Sequence, residues 1–410
     1  CHYFCASDAH GTPVMLKAEE LGISPEQLIQ NIQKEHLKSY SKYLINFSNF
    51  YSTHSDENKT FSEEIYQLAQ NNGLIYKKEI EQFFDSEKLM FLSDRFIKGI
   101  CPQCGAEDQY GDSCGVCGAT YSPQDLVKPK STLTNTAPIL KTTEHIFFKL
   151  PEKTKFLKNF IKNLEIQTPV KNKLKEWTSN ILKDWDISRD SPYFGFKIPN
   201  EQDKYFYVWL DAPIGYFASI KDWANKHSFN LEEIINSDSE YELIHFIGKD
   251  ISYFHALFWP ALLDCTDYLQ PSQINVHGFL TINGEKMSKS LGTGILADEF
   301  CKKYDGELLR YFFASKFNNT VDDIDFNEDD FIQKINSDIV GKYLNIASRV
   351  SKFIEENDSF LSDGIDKNLY DYLVSESNHV FKLYDAKQFS KAISHICLLY
   401  TSPSPRDTEV

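Results

Sequence analysis

Hydrophobic residues recur at two spacings along this chain, and the switches between them lay out its organisation. Residues 2–5 form a short apolar run that empties into Ala6-Ser7-Asp8-Ala9-His10-Gly11-Thr12-Pro13, after which Met15, Leu16, Ala18 and Leu21 fall at helical spacing. Strand, polar loop and helix in that order begin a βα unit. Residues 62–80 keep a helical rhythm, and 170–182 predict another helix with Leu174 and Trp177 inward. Strand-like runs return at 204–210, 241–247 and 273–276, the second passing through Gly248-Lys249-Asp250 into a helix from Ile251. Strands alternating with helices predict a parallel α/β sheet with its working loops at the strand C-termini. From Phe331 the pattern turns helical: Phe331, Ile335, Ile339, Tyr343, Ile346, Val350 and Phe353 recur every three or four residues, and further helices are expected at 369–383 and 386–396. Pro403 and Pro405 cannot continue a helix, so 397–410 reads as a tail that does not match what precedes it.

Composition narrows the classes. A chain of 410 residues exceeds one ordinary core, so two or three domains are expected. The formal net charge of -16 argues against indiscriminate coating of nucleic acid, because phosphates would repel the protein on average and any RNA must meet a local basic patch. No apolar run reaches membrane-spanning length. Nine cysteines, an odd number, fit a reducing compartment, and the cytoplasm is the expected location. The chain opens on Cys1 with no initiating methionine, and we expect it to begin inside a fold.

Candidate chemistry concentrates in three places. Cys101 and Cys104, then Cys114 and Cys117, form two CxxC knuckles, each followed by a glycine. Four sulfurs converging on one point suit a closed, structural Zn²⁺ with no open position for catalysis; two disulfides are the competing reading. Trp185-Asp186-Ile187-Ser188-Arg189-Asp190 places an indole, acids and an arginine together, either at a site edge or as an Arg–Asp pair pinning a loop. Finally, 277–290 runs from a strand end into Lys286-Met287-Ser288-Lys289-Ser290, where two flexible ammonium groups are suited to transient phosphate contact. Asp8, at the first strand end, can meet a charged ligand group or cap the helix that follows.

Taken in order, the Ala9 to Pro13 loop, the four cysteines, Trp185 to Arg189, the block from Tyr205 to Tyr216, Phe246 to Asp250, Val276-His277-Gly278 and the lysine loop resemble methionyl-tRNA synthetase of the zinc-containing bacterial type, a class I aminoacyl-tRNA synthetase. The resemblance runs to about Ile396. It implies a Rossmann-type parallel sheet split by a zinc-binding insertion and followed by a truncated all-α bundle. The expected divisions are 1–70 and 196–278 for the two halves of the nucleotide-binding domain and 71–195 for the connective insertion with its zinc knuckles. Residues 279–330 would form the signature-loop and stem-contact region, and 331–396 part of an anticodon-binding bundle. The implied activity is ATP-dependent formation of methionyl-adenylate and transfer of the methionyl group to tRNA(Met), with Mg²⁺ accompanying ATP and one structural Zn²⁺ per chain.

By the same resemblance, methionine's polarisable thioether would lie against Trp209, Ala212, Pro213, Tyr216, Phe254, His255 and Phe258, since aromatic faces hold such a group well, with Trp185 close by in the substrate site. Asp8 would pair with its ammonium, and Arg189 would hold Asp8 ionised. Gly248, Asp250, His277 and Gly278 would meet ATP, Lys286 and Lys289 would neutralise the departing pyrophosphate, and Asn345 and Arg349 would read the anticodon. Ordinary core packing for the aromatic set, and solvated helix surface for Asn345 and Arg349, stand beside these readings. The family's His-x-Gly-His signature fits none of the eleven histidines, from which we expect impaired activity. Two rivals remain: another class I synthetase, selective for cysteine or leucine, and a catalytically dead zinc-containing tRNA-binding protein.

Overall fold

A computed structural model describes residues 1–119, 121–287, 294–356 and 364–399. The chain enters on β1 (Phe4–Ser7) and passes through α1 (Thr12–Leu21) and α2 (Pro25–Lys42) to β2 (Asn49–Ser52), which pairs with β1 in parallel. Pro13 starts α1 and the left-handed Gly22 ends it, while the Ser24 hydroxyl accepts the Gln27 N–H to cap α2. Ser55 caps α3 (Asp56–Asn71) in the same way. Gly73, at φ 70°, then turns the chain into β3 (Ile75–Asp85). Residues 75–80 are therefore strand, not the continuing helix their spacing predicts.

β3 pairs with β8 (Ile139–Phe148) over ten positions, with β4 (Met90–Phe91) and β9 (Trp185–Asp186) on the outer edges. Between them β5 (Ile97–Ile100), β6 (Gln109–Tyr110) and β7 (Val127–Ser131) form a small antiparallel sheet around the cysteines. α4 (Thr154–Asn163) and α5 (Thr168–Ser179) follow β8, and beyond β9 the short β10 (Ser188–Asp190) pairs with β11 (Lys204–Phe206). The strand expected through Leu210 stops at Phe206. α6 (Val208–His227) takes over because Leu210, Ile214, Phe217, Ala218 and Ala224 bury at helical spacing against β1 and β2. Gly215 is the contact point, where a Cβ would lie 2.8 Å from Thr53.

After α7 (Leu231–Ile235), β12 (Leu243–Gly248) runs through a π-helical stretch, Phe254–Phe258, into α8 (Trp259–Leu263) and pairs in parallel with β13 (Pro271–His277). The α/β class is as expected. Among the described residues, though, β1–β2 and β12–β13 are separate parallel pairs rather than one sheet, joined by one core through Ile214, Phe217, Trp259, Ile247 and Ile274. β14 (Leu280–Ile282) pairs with β15 (Glu285–Lys286) and with β16 (Ile324–Phe326), which follows α9 (Ala297–Lys303) and α10 (Gly306–Lys316). The helical end comprises α11 (Glu328–Ile335), a π-helical run Asn336–Leu344, α12 (Asn345–Glu356), α13 (Lys367–Asp385) and α14 (Phe389–Leu399). α13 packs on α14 and α14 on α10, which leaves Ile346, Val350 and Phe353 of the expected stripe exposed.

Candidate active site

Most of the aromatic set expected to receive a thioether is contiguous. The turn from β11 into α6 presents Trp209, whose ring meets Phe254 edge-on with centroids 3.8 Å apart. β9 brings Trp185 against both Phe254 and Phe258, at 4.6 and 3.4 Å. Phe258 is fully buried and backs Trp185, as its core reading has it, whereas Trp185, Trp209 and Phe254 are half-buried. One turn along α6 lie Ala212 and the buried Pro213, and a further turn on, the Tyr216 hydroxyl donates to His255 Nε2 at 2.9 Å. Burial holds His255 near a pKa of about 4 and pushes the Tyr216 hydroxyl up. The neighbouring His245, also buried, is driven well below its ordinary value, so this flank carries no positive imidazole at neutral pH.

The nucleotide candidates gather at the ends of β12 and β13. Gly248 and His277 are direct register partners. A Cβ on Gly248 would lie 2.7 Å from the Asp250 carboxylate and 3.8 Å from the His277 ring, so the glycine lets the three approach one another. Gly278 has a plainer reason: a Cβ there would lie 2.1 Å from the Asp322 carbonyl oxygen, and close backbone packing excludes a side chain. β14 leaves Gly278 and turns through Asn283 and Gly284, both at positive φ, so that the Lys286 backbone pairs with Thr281. Lys289 lies outside the described residues. Asn345 and Arg349 stand four apart on α12, the first half-buried and the second exposed, away from the residues above in the chain.

Asp8 is exposed at the end of β1, yet crowded by protein. That crowding and the Asp211 carboxylate push its pKa up to about 7 against the opposing pull of His10, and its contact with water tempers the first of these. Arg189 is not its partner, contrary to expectation. It pairs with Asp186 at 3.3 Å, donates to the Ser188 carbonyl and lies 3.7 Å over the Tyr207 ring, because β10 directs it along its own segment. The sequence reading also passed over a buried cluster next to Asp8: His10 Nδ1 bonds the Asp211 carboxylate, and His10 Nε2 meets His54 Nδ1 at 2.9 Å. Nothing in the spacing of residues 10, 54 and 211 signals that meeting. A further polar cavity of about 1060 Å³, bounded by Glu26, Gln33, Tyr51, His54, Lys59 and Asn200 among others, contains none of the residues singled out from the sequence.

The four cysteine sulfurs lie within 4.8 Å of one another. The Cys101–Cys117 and Cys104–Cys114 separations, 3.8 and 3.6 Å, are too long for disulfides and close to the ~3.8 Å edge of a tetrahedron with 2.3 Å Zn–S bonds. Gly105 and Gly118, at φ 74° and 72°, return their N–H groups to the Cys101 and Cys114 carbonyls, which closes each knuckle. The Cys117 and Val116 N–H groups point at the Cys114 sulfur and draw that thiol down to about 6. This cluster could hold a metal ion, and its donor set fits one bound by thiolates.

An α/β core split by a cysteine-bearing insertion and followed by helices is the architecture of a class I tRNA synthetase. The family described as tRNA synthetases class I (M) matches residues 1–351, and the chain belongs to it; its activity class is aminoacyl-tRNA ligation. Its fold is that of methionyl-tRNA synthetase. The Mycobacterium tuberculosis methionyl-tRNA synthetase in complex with methionyl-adenylate is 22% identical, with a TM-score of 0.75 over 98% of this chain and 74% of that one. A second structure of that enzyme with methionyl-adenylate gives 0.74 at 21% identity over 99% and 79%, and its apo form 0.66 at 18% over 99% and 84%. No helix among the described residues is long and apolar enough to cross a membrane.

Proposed function

We propose that this chain activates methionine with ATP and transfers it to tRNA(Met), with activity impaired because none of its histidines supplies the His-x-Gly-His signature. The observation that carries this reading is the contiguous wall of Trp185, Trp209 and Phe254, with a Tyr216–His255 pair of no net charge whose imidazole follows Phe254 directly in the chain. Such a surface offers polarisable faces to a thioether and no hook for a thiolate or a hydroxyl. Methionine's carboxylate oxygen would attack the α-phosphorus of ATP, forming the adenylate bond as the bond to pyrophosphate breaks. The protein's part is positioning and charge neutralisation rather than covalent chemistry. Asp8 would take the ammonium, and Trp209, Ala212, Pro213, Tyr216, His255 and Phe258 the side chain or its backing. Gly248, Asp250, His277 and Gly278 would bound ATP with its Mg²⁺, Lys286 and Lys289 would meet the pyrophosphate, and Asn345 and Arg349 the anticodon. Zn²⁺ on Cys101, Cys104, Cys114 and Cys117 would be structural.

On this reading, 1–70 and 196–278 act as one catalytic unit, 71–195 is the insertion and 331–396 the tRNA-binding bundle, in a cytoplasmic enzyme. Amino-acid-dependent exchange of pyrophosphate into ATP tests it. Methionine should support exchange at least tenfold better than leucine or cysteine, given the 1–3 kcal/mol or so that one side-chain group contributes to discrimination. Exchange favouring either rival would overturn the assignment.

A further inference from the structure

The loop between β1 and α1 is tied down residue by residue. The Ala9 N–H donates to the Thr53 hydroxyl at 2.9 Å, and the Gly11 N–H to the Phe194 carbonyl at 2.8 Å. Between them His10 is held by both ring nitrogens, through Asp211 and His54. Phe194 and Phe196 meet the His10 ring edge-on at 5.5 and 4.6 Å and also flank His54. Asp211 is completely buried, and its second carboxylate oxygen has no partner among the described residues. Burial raises the Asp211 pKa while His10 opposes that rise, and the ionised carboxylate, able only to accept, requires a proton on His10 Nδ1. That clamp sits two residues from Asp8, so the loop carrying its carboxylate is pinned at Ala9, His10 and Gly11.

We propose that His10 is a positioning residue for the substrate ammonium: clamped between Asp211 and His54, it pins the loop that carries Asp8 and so fixes that carboxylate where the ammonium must dock. The inference rests on the assignment of Asp8 to the ammonium and extends it to three residues, His10, His54 and Asp211, that touch no substrate atom. Leu at position 10 would leave Asp211 without its donor and free the loop to swing. Asn would keep a donor where Nδ1 now stands and would preserve the clamp on its Asp211 side.

The test compares methionine with 4-(methylthio)butanoate, the same molecule without its amino group, by titration calorimetry on the whole chain. Wild type should favour methionine by tenfold or more, as a charge-assisted contact worth roughly 1.5–3 kcal/mol requires. Asp8→Asn and His10→Leu should lose most of that preference without weakening the deaminated compound, and His10→Asn should restore it. A general structural defect would weaken both ligands alike. Preference retained in His10→Leu while lost in Asp8→Asn overturns the inference, as does a wild type with no preference. Should ammonium preference follow Asp8 and His10 while leucine binds better than methionine, the choice of amino acid fails and the role of His10 stands. Nitrogen-15 spectra of the wild-type imidazoles give a check independent of any variant's folding, because a His10 ring protonated only on Nε2 excludes the clamp.

Discussion

The Tyr216 hydroxyl donates to His255 Nε2 at 2.9 Å while the Ile251 carbonyl lies 3.2 Å from His255 Nδ1, and together they settle the proton on one ring nitrogen. A carbonyl can only accept, so Nδ1 carries the hydrogen and Nε2 receives the phenol's. Burial reinforces this neutral form and holds the folded pKa near 4 against an ordinary 6.5. The sign follows. An unfolded chain takes up a proton below pH 6.5 that the folded chain refuses, so this stabilisation is complete above 6.5 and is lost as pH falls toward 4, by about 3 kcal/mol in all. Tyr216→Phe should lower stability by roughly 1–3 kcal/mol at pH 7, because it strands a buried acceptor. Urea melts of wild type and His255→Phe between pH 7 and 4.5 check the rest, the variant losing less stability on acidification than the wild type.

His145 is the opposite case. It is buried between Asp186 and Asp190, at 2.6 and 3.0 Å, directly beneath the segment that carries Trp185 and Arg189. Burial alone would lower its pKa, but the two carboxylates prevail and raise it. Asp190 mirrors this: burial opposes, yet His145 and Lys204 hold it below the usual carboxylate range. The His145 contribution is complete below about 6.5 and fades as pH rises through its raised value, and that of Asp190 fades as pH falls below about 4. His145→Gln, which removes the cation shared by the half-buried Asp186 and Asp190 while Arg189 and Lys204 stay beside them, should cost roughly 1–3 kcal/mol and loosen the Trp185 wall. Thermal melts from pH 5 to 9 should show the gap between wild type and variant narrowing toward the alkaline end. A gap that widens would contradict the assignment of the imidazolium.

Metal removal should act locally. Beside the cysteines, Phe83, Met90, Leu92, Ile97 and Leu126 form a small hydrophobic cluster separate from the main one. A core that small needs a staple, and zinc in isolated small modules supplies roughly 10–16 kcal/mol. Elemental analysis should find one zinc per chain, lost in Cys101→Ser. Calorimetry of the stripped protein should then split one transition into two, with the zinc-module transition falling below 37 °C and the main core melting near its original temperature.

How much of this was legible beforehand depends on whether a signal was local. The cysteine knuckles announce themselves, because fixed spacing and following glycines impose the geometry that brings the sulfurs within 4.8 Å. β12, β13 and the glycine between Phe246 and Asp250 are equally plain, since apolar runs broken by Gly mark strand ends. Residues 207–210 misled: alternating aromatics read as strand, but the packing of Ile214 and Phe217 against β1 and β2 decided for helix. Beyond reach altogether was the meeting of His10, His54 and Asp211, separated by 44 and 201 positions. No period or motif records a contact that only the closed fold creates, and the same holds for Arg189 turning to Asp186 instead of Asp8.

The base of the lysine loop offers the last test, because one residue ties its first strand to its turn. The Asp325 carboxylate accepts the Gly284 N–H and the Thr281 hydroxyl, both at 2.7 Å, across the hairpin that carries Lys286. Those two bonds hold Asp325 below the usual carboxylate range. A lysine that neutralises a leaving pyrophosphate acts on charge that develops only as the bond breaks, so it raises kcat rather than ground-state affinity. Lys289→Ala should therefore lower the exchange rate by about 10²–10³-fold with the methionine KM unchanged, the magnitude associated with losing one charge-stabilising donor. Asp325→Asn, which keeps the size of the side chain but weakens the lock, should lower kcat less, by about tenfold, for each 1.4 kcal/mol of lost positioning. Steady-state exchange with methionine and ATP varied separately checks both. A Lys289→Ala variant whose defect lay wholly in the methionine KM would remove that lysine from the departing phosphate.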